Sequence, residues 1–426
     1  MPIALTRWDP FAQLRTRPRG VADVFAGIGG ELPVAVRFWD GSAIGPADED
    51  APTIVVRDPA ALAHLLHEPN QLGLARAWVE GALDVDGDIE AVLRSRRRLQ
   101  GLRLRPTDRV RLAWAATRVV GPALLRRPAI PAIEARPRGR RHSVARDRAS
   151  VRHHYELSNR FYERLLGPTM VYSCAYFQDP GDTLEAAQER KLEVICRKLR
   201  LEPGDRLLDI GCGWGSLLLH AATHHGVHGV GITVSDAQAR LARERIARAG
   251  LDDRLEVRVC DYRELGDGPY DKIASVGMYE HVGRAQLERY GGTVADLLRP
   301  GGLFLNHGIA RLDAEPASPD TFISRYVFPD GELHPVTDVM VAMRDAGLEL
   351  RDAESLREHY VLTLRRWVAN LDASRVAAEA EIGATRLRVW RLYLVACAQA
   401  FEDGEIGVYQ VLGARAGGPH DLPLQR

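Results

Sequence analysis

Nothing in this 426-residue sequence marks an exported or membrane-spanning chain. No run of about 18 apolar residues occurs, so no transmembrane helix is expected. The opening stretch MPIALTRWDPFAQLRTR is polar, and its apolar part is too short for a secretory signal. Cysteine is scarce: Cys174, Cys196, Cys212, Cys260 and Cys397 are odd in number and far apart. That pattern fits free thiols in a reducing cytosol rather than a disulfide framework. There is no C-x-x-C pair and no histidine group at ligand spacing. The adjacent pairs His153–His154 and His224–His225 suit local polar contacts, so no metal is expected. Net charge is absent too, with 57 Lys and Arg against 57 Asp and Glu.

That balance conceals an uneven distribution. Residues 91–150 hold 17 basic and 3 acidic side chains, which leaves 40 basic and 54 acidic for the rest of the chain. The basic stretch interleaves Leu102, Leu104, Val110, Leu112, Trp114, Val119, Leu124 and Leu125. Such interleaving suits an amphipathic helix on an anionic membrane surface better than a nucleic-acid tail. A solvated linker would look much the same, and no nucleic-acid partner is expected. Ahead of it, residues 33–40 and Thr53–Val56 look like strands, and 58–66, 70–82 and 88–100 like helices started by Asp58-Pro59 and Asp88. Residues 1–127 therefore read as a small α+β domain with no catalytic constellation. Residues 128–150 are rich in Pro and Arg and read as a linker.

The chemistry begins at Val151. Residues 206–216, RLLDIGCGWGS, run from an apolar strand through Asp209 into Gly211, Gly213 and Gly215, and then into a helix. A glycine turn between strand and helix lets backbone N–H groups approach a nucleotide-like ligand. G-x-G-x-G with a preceding acid is the S-adenosylmethionine loop of a class I methyltransferase, although an ordinary strand–turn–helix junction can carry the same glycines. Strand and helix then alternate over 206–210, 216–224, 228–232, 236–249, 255–259, 271–276, 286–298 and 302–309. The expected fold is α/β, a doubly wound and mostly parallel sheet over residues 151–426. Ligands of such sheets lie beyond the carboxyl ends of the strands. There the sequence presents Thr233 and Gln238 where an acid usually holds the ribose, then Asp261 for the adenine amine and Tyr262 to stack on the ring. Glu280, His281 and His307 follow at the next two strand ends. The segment 153–177 packs six aromatic residues that are either core or a lid over the sulfonium, which ring faces attract.

HYELSNRFY, MVYSCAYF, LLDIGCGWGS, GITVS, DYREL, GMYEHVG and RLYLVACAQAF, in that order between about residues 150 and 412, resemble the cyclopropane-fatty-acyl-phospholipid synthases. The cyclopropane mycolic acid synthases are similar as well. The N-terminal part resembles the lipid-binding domain of the larger bacterial members. The resemblance implies S-adenosylmethionine as methyl donor and the cis double bond of a phospholipid acyl chain as acceptor. It implies bicarbonate as general base, held by Cys174, Glu280, His307 and Tyr360, with Tyr155 nearby and Cys397 as a further active-site cysteine. The donor cleft is then expected to comprise Tyr172, Ser173, Asp209, Gly211, Gly213, Gly215, Thr233, Gln238, Asp261 and Tyr262. A cytoplasmic enzyme attached peripherally to the membrane is implied, and a homodimer is left open.

An alkene is a weak nucleophile, so the methyl group must be held in line in a site free of water. Transfer leaves a carbocation, and a gripped anion can both stabilise it and take the proton whose loss closes the ring. One stretch departs from the family. Where a Leu-Leu-His-Thr-Ile run is usual, this chain has Leu305-Asn306-His307-Gly308-Ile309. The expected product is a cyclopropane fatty acid, with an exocyclic methylene as the alternative, completed to a methyl branch by a separate reductase. A small-molecule methyltransferase and a non-catalytic lipid-binding protein are the readings from other classes, and the intact glycine loop and strand-end carboxylates weigh against both.

Overall fold

The computed structural model describes residues 20–29, 32–46, 51–96, 114–155, 157–313, 321–420 and 422–424. Contacts divide the chain into two compact units: Met1–Glu134 with Asp320–Phe322, and Ala135–Pro319 with Ile323–Arg426.

The first unit is α+β. Helix α1 (Val21–Gly29) precedes strands β1 (Ala35–Phe38), β2 (Ala43–Ile44) and β3 (Thr53–Val56). Helices α2 (Ala60–His67) and α3 (Gln71–Val79), strand β4 (Leu83–Asp86) and helix α4 (Ile89–Arg94) follow. The sheet order is β2-β1-β3-β4, with β1 and β3 parallel. Asp88 caps α4 through the Glu90 N–H, and Asn70 caps α3 through those of Leu72 and Gly73, each satisfying donors the helix leaves open. Beneath α3, the buried Arg76 donates from Nε and Nη2 to both oxygens of Glu134, at 2.8 and 2.9 Å. Of the basic amphipathic stretch, residues 97–113 lie outside the described residues. Its flanks are partly neutralised: Arg94 lies 3.5 Å from Asp88, and Arg127 3.9 Å from Glu68.

The second unit carries a seven-stranded sheet between helices. Its elements are α5 (Val144–Tyr155), α6 (Asn159–Leu166), α7 (Leu184–Lys198), β5 (Arg206–Ile210), α8 (Ser216–His225), β6 (His228–Thr233), α9 (Asp236–Arg248), β7 (Leu255–Val259), β8 (Tyr270–Val276), α10 (Leu287–Leu297) and β9 (Leu298–Arg311). They continue with α11 (Phe322–Tyr326), α12 (Val336–Asp345), β10 (Leu348–Ser355), α13 (Arg357–Ala373), α14 (Arg375–Ile382), α15 (Ala384–Glu402) and β11 (Ile406–Arg415). The sheet order is β10-β11-β9-β8-β5-β6-β7. Strands β5 to β9 are parallel, and β11 runs antiparallel to both β9 and β10. Period-two alternation gives the sheet two apolar faces. Leu207, Leu303, Leu305 and Leu412 pack with Leu192 and Ile195 of α7 and Leu218 of α8. Leu208, Ile210, Phe304 and Val411 pack on the other face with Tyr290 of α10 and Met343 of α12.

Helix α5 runs through residue 150, where the linker was expected to end. The segment has neither proline nor glycine, and Ser150 and His154 are buried one turn apart. Several arginines of the basic stretch are also spent inside this unit. Arg146 donates to both oxygens of Asp330 at 2.6 Å, and Arg141 lies 2.7 Å from Glu332.

Candidate active site

The strand order reverses between β5 and β8, and beyond the carboxyl ends of those strands lies a cavity of about 170 Å3. Nine of the ten expected donor residues line it: Tyr172, Ser173, Asp209, Gly211, Gly213, Thr233, Gln238, Asp261 and Tyr262. Gly215 does not. It sits at the start of α8 with φ +78°, and a Cβ there would lie 3.3 Å from Ala242, so its role is close packing of α8 on α9. Gly213 has φ +53°, and its missing side chain leaves open space up to Gln238 Nε2 at 4.0 Å. That is the backbone exposure a nucleotide ligand needs.

The polar groups around the cavity are ordered in advance. Thr233 Oγ1 donates to Gln238 Oε1 at 2.8 Å, which leaves the Gln238 amide nitrogen to donate elsewhere. Lys191 of α7, not anticipated from sequence, is buried on the cavity wall and donates to Ser173 Oγ at 3.0 Å. Burial raises the Asp209 carboxyl and lowers the Lys191 ammonium, and the charge of each eases the shift of the other. Asp261 differs from expectation in its commitments. Both of its oxygens accept from Arg263, at 2.7 and 2.6 Å, and it caps the turn 262–264, so an adenine amine could reach only a remaining lone pair. Arg263, also unanticipated, continues to Asp147 Oδ2 at 2.9 Å. The Tyr262 hydroxyl is buried with no partner.

The aromatic segment divides between cavity and core. Tyr155 and Tyr172 line the cavity, whereas Phe161 and Tyr162 are fully buried core. Tyr172 Oη lies 3.0 Å from His154 Nε2 and 3.3 Å from Tyr393 Oη. His281 faces the cavity, held neutral by burial with its pKa lowered to about 4.

The expected catalytic residues, Tyr155 apart, are not part of the cavity lining. Glu280, Tyr360, Cys174 and Cys397 gather beyond it, while His307 packs against Gln410. Tyr360, in the first turn of α13, is buried, its hydroxyl pKa raised first by burial and then by the nearness of Tyr393, Cys174, Cys397 and Glu280. Tyr155 feels Glu280 as well and so spans both regions. Tyr393 precedes Cys397 by one turn of α15 and belongs to the same group; its signals in the sequence were that i, i+4 spacing and its place in RLYLVACAQAF. Glu280 accepts from the Ile309 N–H at 2.8 Å through Oε1, while its buried Oε2 has no partner. Burial raises its pKa to about 7. His307 is buried, and Gln410 Nε2 donates to its Nδ1 at 3.2 Å, placing the ring proton on Nε2, which has no partner. Burial first, then Lys191 and Lys198, lower its pKa to about 3, so it is a neutral donor. Cys174 stays a thiol, its pKa raised by burial, with Sγ 3.3 Å from the Ala175 carbonyl. Glu280 thus offers an unpartnered acceptor and His307 an unpartnered donor, each buried.

Fold and donor cavity together define a class I S-adenosylmethionine-dependent methyltransferase. The family model described as mycolic acid cyclopropane synthetase matches residues 142–411, and the chain belongs to that family. Residues 28–106 match a domain of unknown function. A probable fatty acid methyltransferase of Pseudomonas putida is 40% identical over 93% of this chain and 95% of its own length. The tuberculostearic acid methyltransferase UfaA1 of Mycobacterium tuberculosis is 34% identical over 97% of this chain and 96% of its own. The cyclopropane-fatty-acyl-phospholipid synthase of Escherichia coli is 38% identical over 62% of this chain and 66% of its own. Among solved structures, mycolic acid cyclopropane synthase CmaA1 complexed with SAH and CTAB aligns with a TM-score of 0.60 and 32% identity, over 63% of this chain and 98% of that one. The chain is thus an S-adenosylmethionine-dependent methyltransferase of the cyclopropane synthase type, acting on lipid acyl chains. Among the described residues, no helix is long and apolar enough to cross a membrane.

Proposed function

We propose that this enzyme methylates the cis double bond of unsaturated acyl chains in membrane phospholipids, with Glu280, His307 and Tyr360 gripping a bicarbonate ion. The observation that carries the reading is the buried, unpartnered Glu280 Oε2 within the group around Tyr360, which Tyr155 links to the methyl-donor cavity. A bicarbonate held there would supply a base that is not tethered to the chain. Glu280 as carboxylate accepts its O–H, and neutral His307 and the Tyr360 hydroxyl donate to its oxygens. Tyr155 and Tyr172 line the donor cavity, and aromatic rings there would favour a sulfonium over water. The exposed Trp114, with the Arg118 guanidinium 3.6 Å above its ring, and the exposed Leu125 supply an apolar and cationic edge suited to an anionic bilayer.

The carbocation has two exits, and both end with a proton leaving the added methyl group. Direct loss lets the former C–H electrons bond the cationic carbon and close a cyclopropane. A prior hydride shift from the methylated carbon to its neighbour makes the same loss yield an exocyclic methylene. Relatives matched over nearly the whole chain are named fatty acid methyltransferases, one of them for tuberculostearic acid, and this favours the methylene exit. A reductase on another chain would complete the methyl branch. The test incubates the purified enzyme with radiolabelled S-adenosylmethionine and unsaturated phospholipid vesicles, with and without bicarbonate, followed by proton NMR of the product lipid. Label in the acyl chain and a bicarbonate-dependent rate are expected. Label confined to a head group, or a rate indifferent to bicarbonate, refutes the reading.

A further inference from the structure

Away from the donor cavity, the fold assembles a group that the sequence keeps apart. Cys196 of α7 and His220 and His225 of α8 bring their ligand atoms within 4.8 Å of one another. Glu193, one turn before Cys196, adds a fourth donor: its Oε2 lies 3.2 Å from His220 Nε2 and 3.0 Å from His225 Nε2. We propose that Glu193, Cys196, His220 and His225 form a binding site for a divalent transition metal, best matched by Zn2+, that ties α7 to α8.

The donor set is one thiolate, two imidazoles and one carboxylate, the mixture that a tetrahedral zinc ion takes. Bonds of about 2.0–2.1 Å to nitrogen or oxygen and 2.3 Å to sulfur put tetrahedral ligand atoms roughly 3.3–3.6 Å apart. The two Glu193–histidine separations already fall close to that edge length, while Cys196 must move inward from as far as 4.8 Å and Glu193 keeps Arg197 on its other oxygen at 2.6 Å. Burial is graded as an entry path requires. Cys196 is fully buried, while the side chains of His220, His225 and Glu193 are 14, 19 and 28% exposed. Binding would release the Cys196 thiol proton to solvent and replace two histidine–carboxylate hydrogen bonds by metal bonds. The consequence is mechanical. α7 carries Lys191 and α8 begins at Ser216, both on the donor cavity, so a metal clamp between these helices would brace the cavity wall without touching the reacting atoms.

The full-length enzyme, stripped by a chelator, is titrated with Co2+ and then Zn2+. One equivalent per chain should bind with tetrahedral d–d absorption and a thiolate-to-cobalt charge-transfer band, and Zn2+ should displace it. Cys196→Ser should lose the charge-transfer band although four other cysteines remain. His225→Ala, at a partly exposed position, should bind at least tenfold more weakly and lose the Zn2+-dependent rise in melting temperature seen in the parent, with its metal-free methyl-transfer rate unchanged. Absence of a saturable equivalent overturns the proposal. So does a charge-transfer band that survives Cys196→Ser, or an equal Zn2+ response in the parent and His225→Ala.

Discussion

Replacing Glu280 by glutamine should make the protein less active and, above neutral pH, relatively more stable. The carboxyl is buried, with its pKa raised from 4.5 to about 7 by desolvation that one hydrogen bond from the Ile309 N–H only partly offsets. Below pH 4.5 the folded and unfolded states both hold the proton, and the group contributes nothing to pH dependence. Between 4.5 and 7 the folded state keeps a proton that the unfolded chain has lost, so stability falls as pH rises, and above 7 the penalty is complete. At 1.36 kcal/mol per pH unit, the penalty that accumulates between pH 5 and pH 8 is about 2.5 kcal/mol. Glu280→Gln escapes it. The amide oxygen can keep the Ile309 bond, and any constant cost of the unpaired amide nitrogen cancels when the two pH values are compared. Relative to the parent, the variant should therefore gain about 2.5 kcal/mol between pH 5 and pH 8, or about 5 °C at roughly 2 °C per kcal/mol for a domain of this size. Thermal and urea unfolding in bicarbonate-free buffer measures it, and methyl transfer should fall about 100- to 10,000-fold in the same variant. A stability difference that stays flat with pH would refute the raised carboxyl, and near-parental turnover would refute its role in holding the base.

Two further substitutions probe the neighbouring geometry. Gly308→Ala would drive a Cβ into the Tyr279 ring and to 3.4 Å from Glu280 Cδ; an overpacking loss of about 1–3 kcal/mol in urea unfolding, with donor binding retained in calorimetry, is expected. Gly213→Val should weaken donor binding at least tenfold, because a β-branched side chain is strained at φ +53° and would fill the cavity beside Gln238; unchanged affinity in calorimetry would remove Gly213 from the donor site.

Strands β5 to β8 and the helices between them were legible to within a residue or two, because strands buried on both faces read as apolar runs and their helices begin at capping residues such as Ser235, whereas β9 extends to Leu298–Arg311 beyond the expected 302–309. β10 was not. Leu348–Ser355 lies at the sheet edge with only Leu348 buried, and its sequence LELRDAES shows no apolar run. Lys191 was missed for a related reason. It sits among the charges of QERKLE, a run in which nothing marks one cation for burial, and only the packing of α7 on the sheet turns it into a buried donor to Ser173. The Asp261–Arg263 pair and the Cys196–His220–His225 group depend likewise on a turn and on a helix contact that residue spacing does not announce.

The departure at Asn306 and Gly308 bears on Glu280 rather than on His307. Along β9, residues 306 and 308 face one side of the sheet and 307 the other, as strand alternation requires. Asn306 accepts from Tyr290 Oη at 2.9 Å, and the absence of a side chain at Gly308 makes room for the ring of Tyr279. Tyr279 in turn donates to the Ile309 carbonyl at 2.7 Å, while the Ile309 N–H donates to Glu280 Oε1 at 2.8 Å. Tyr279, Ile309 and Glu280 therefore form a closed loop of contacts that fixes the carboxylate. His307, on the opposite face, is oriented separately by Gln410. A threonine at 308 would have to displace the Tyr279 ring and with it one side of that loop. The small residue at 308 thus sets where the Glu280 carboxylate stands.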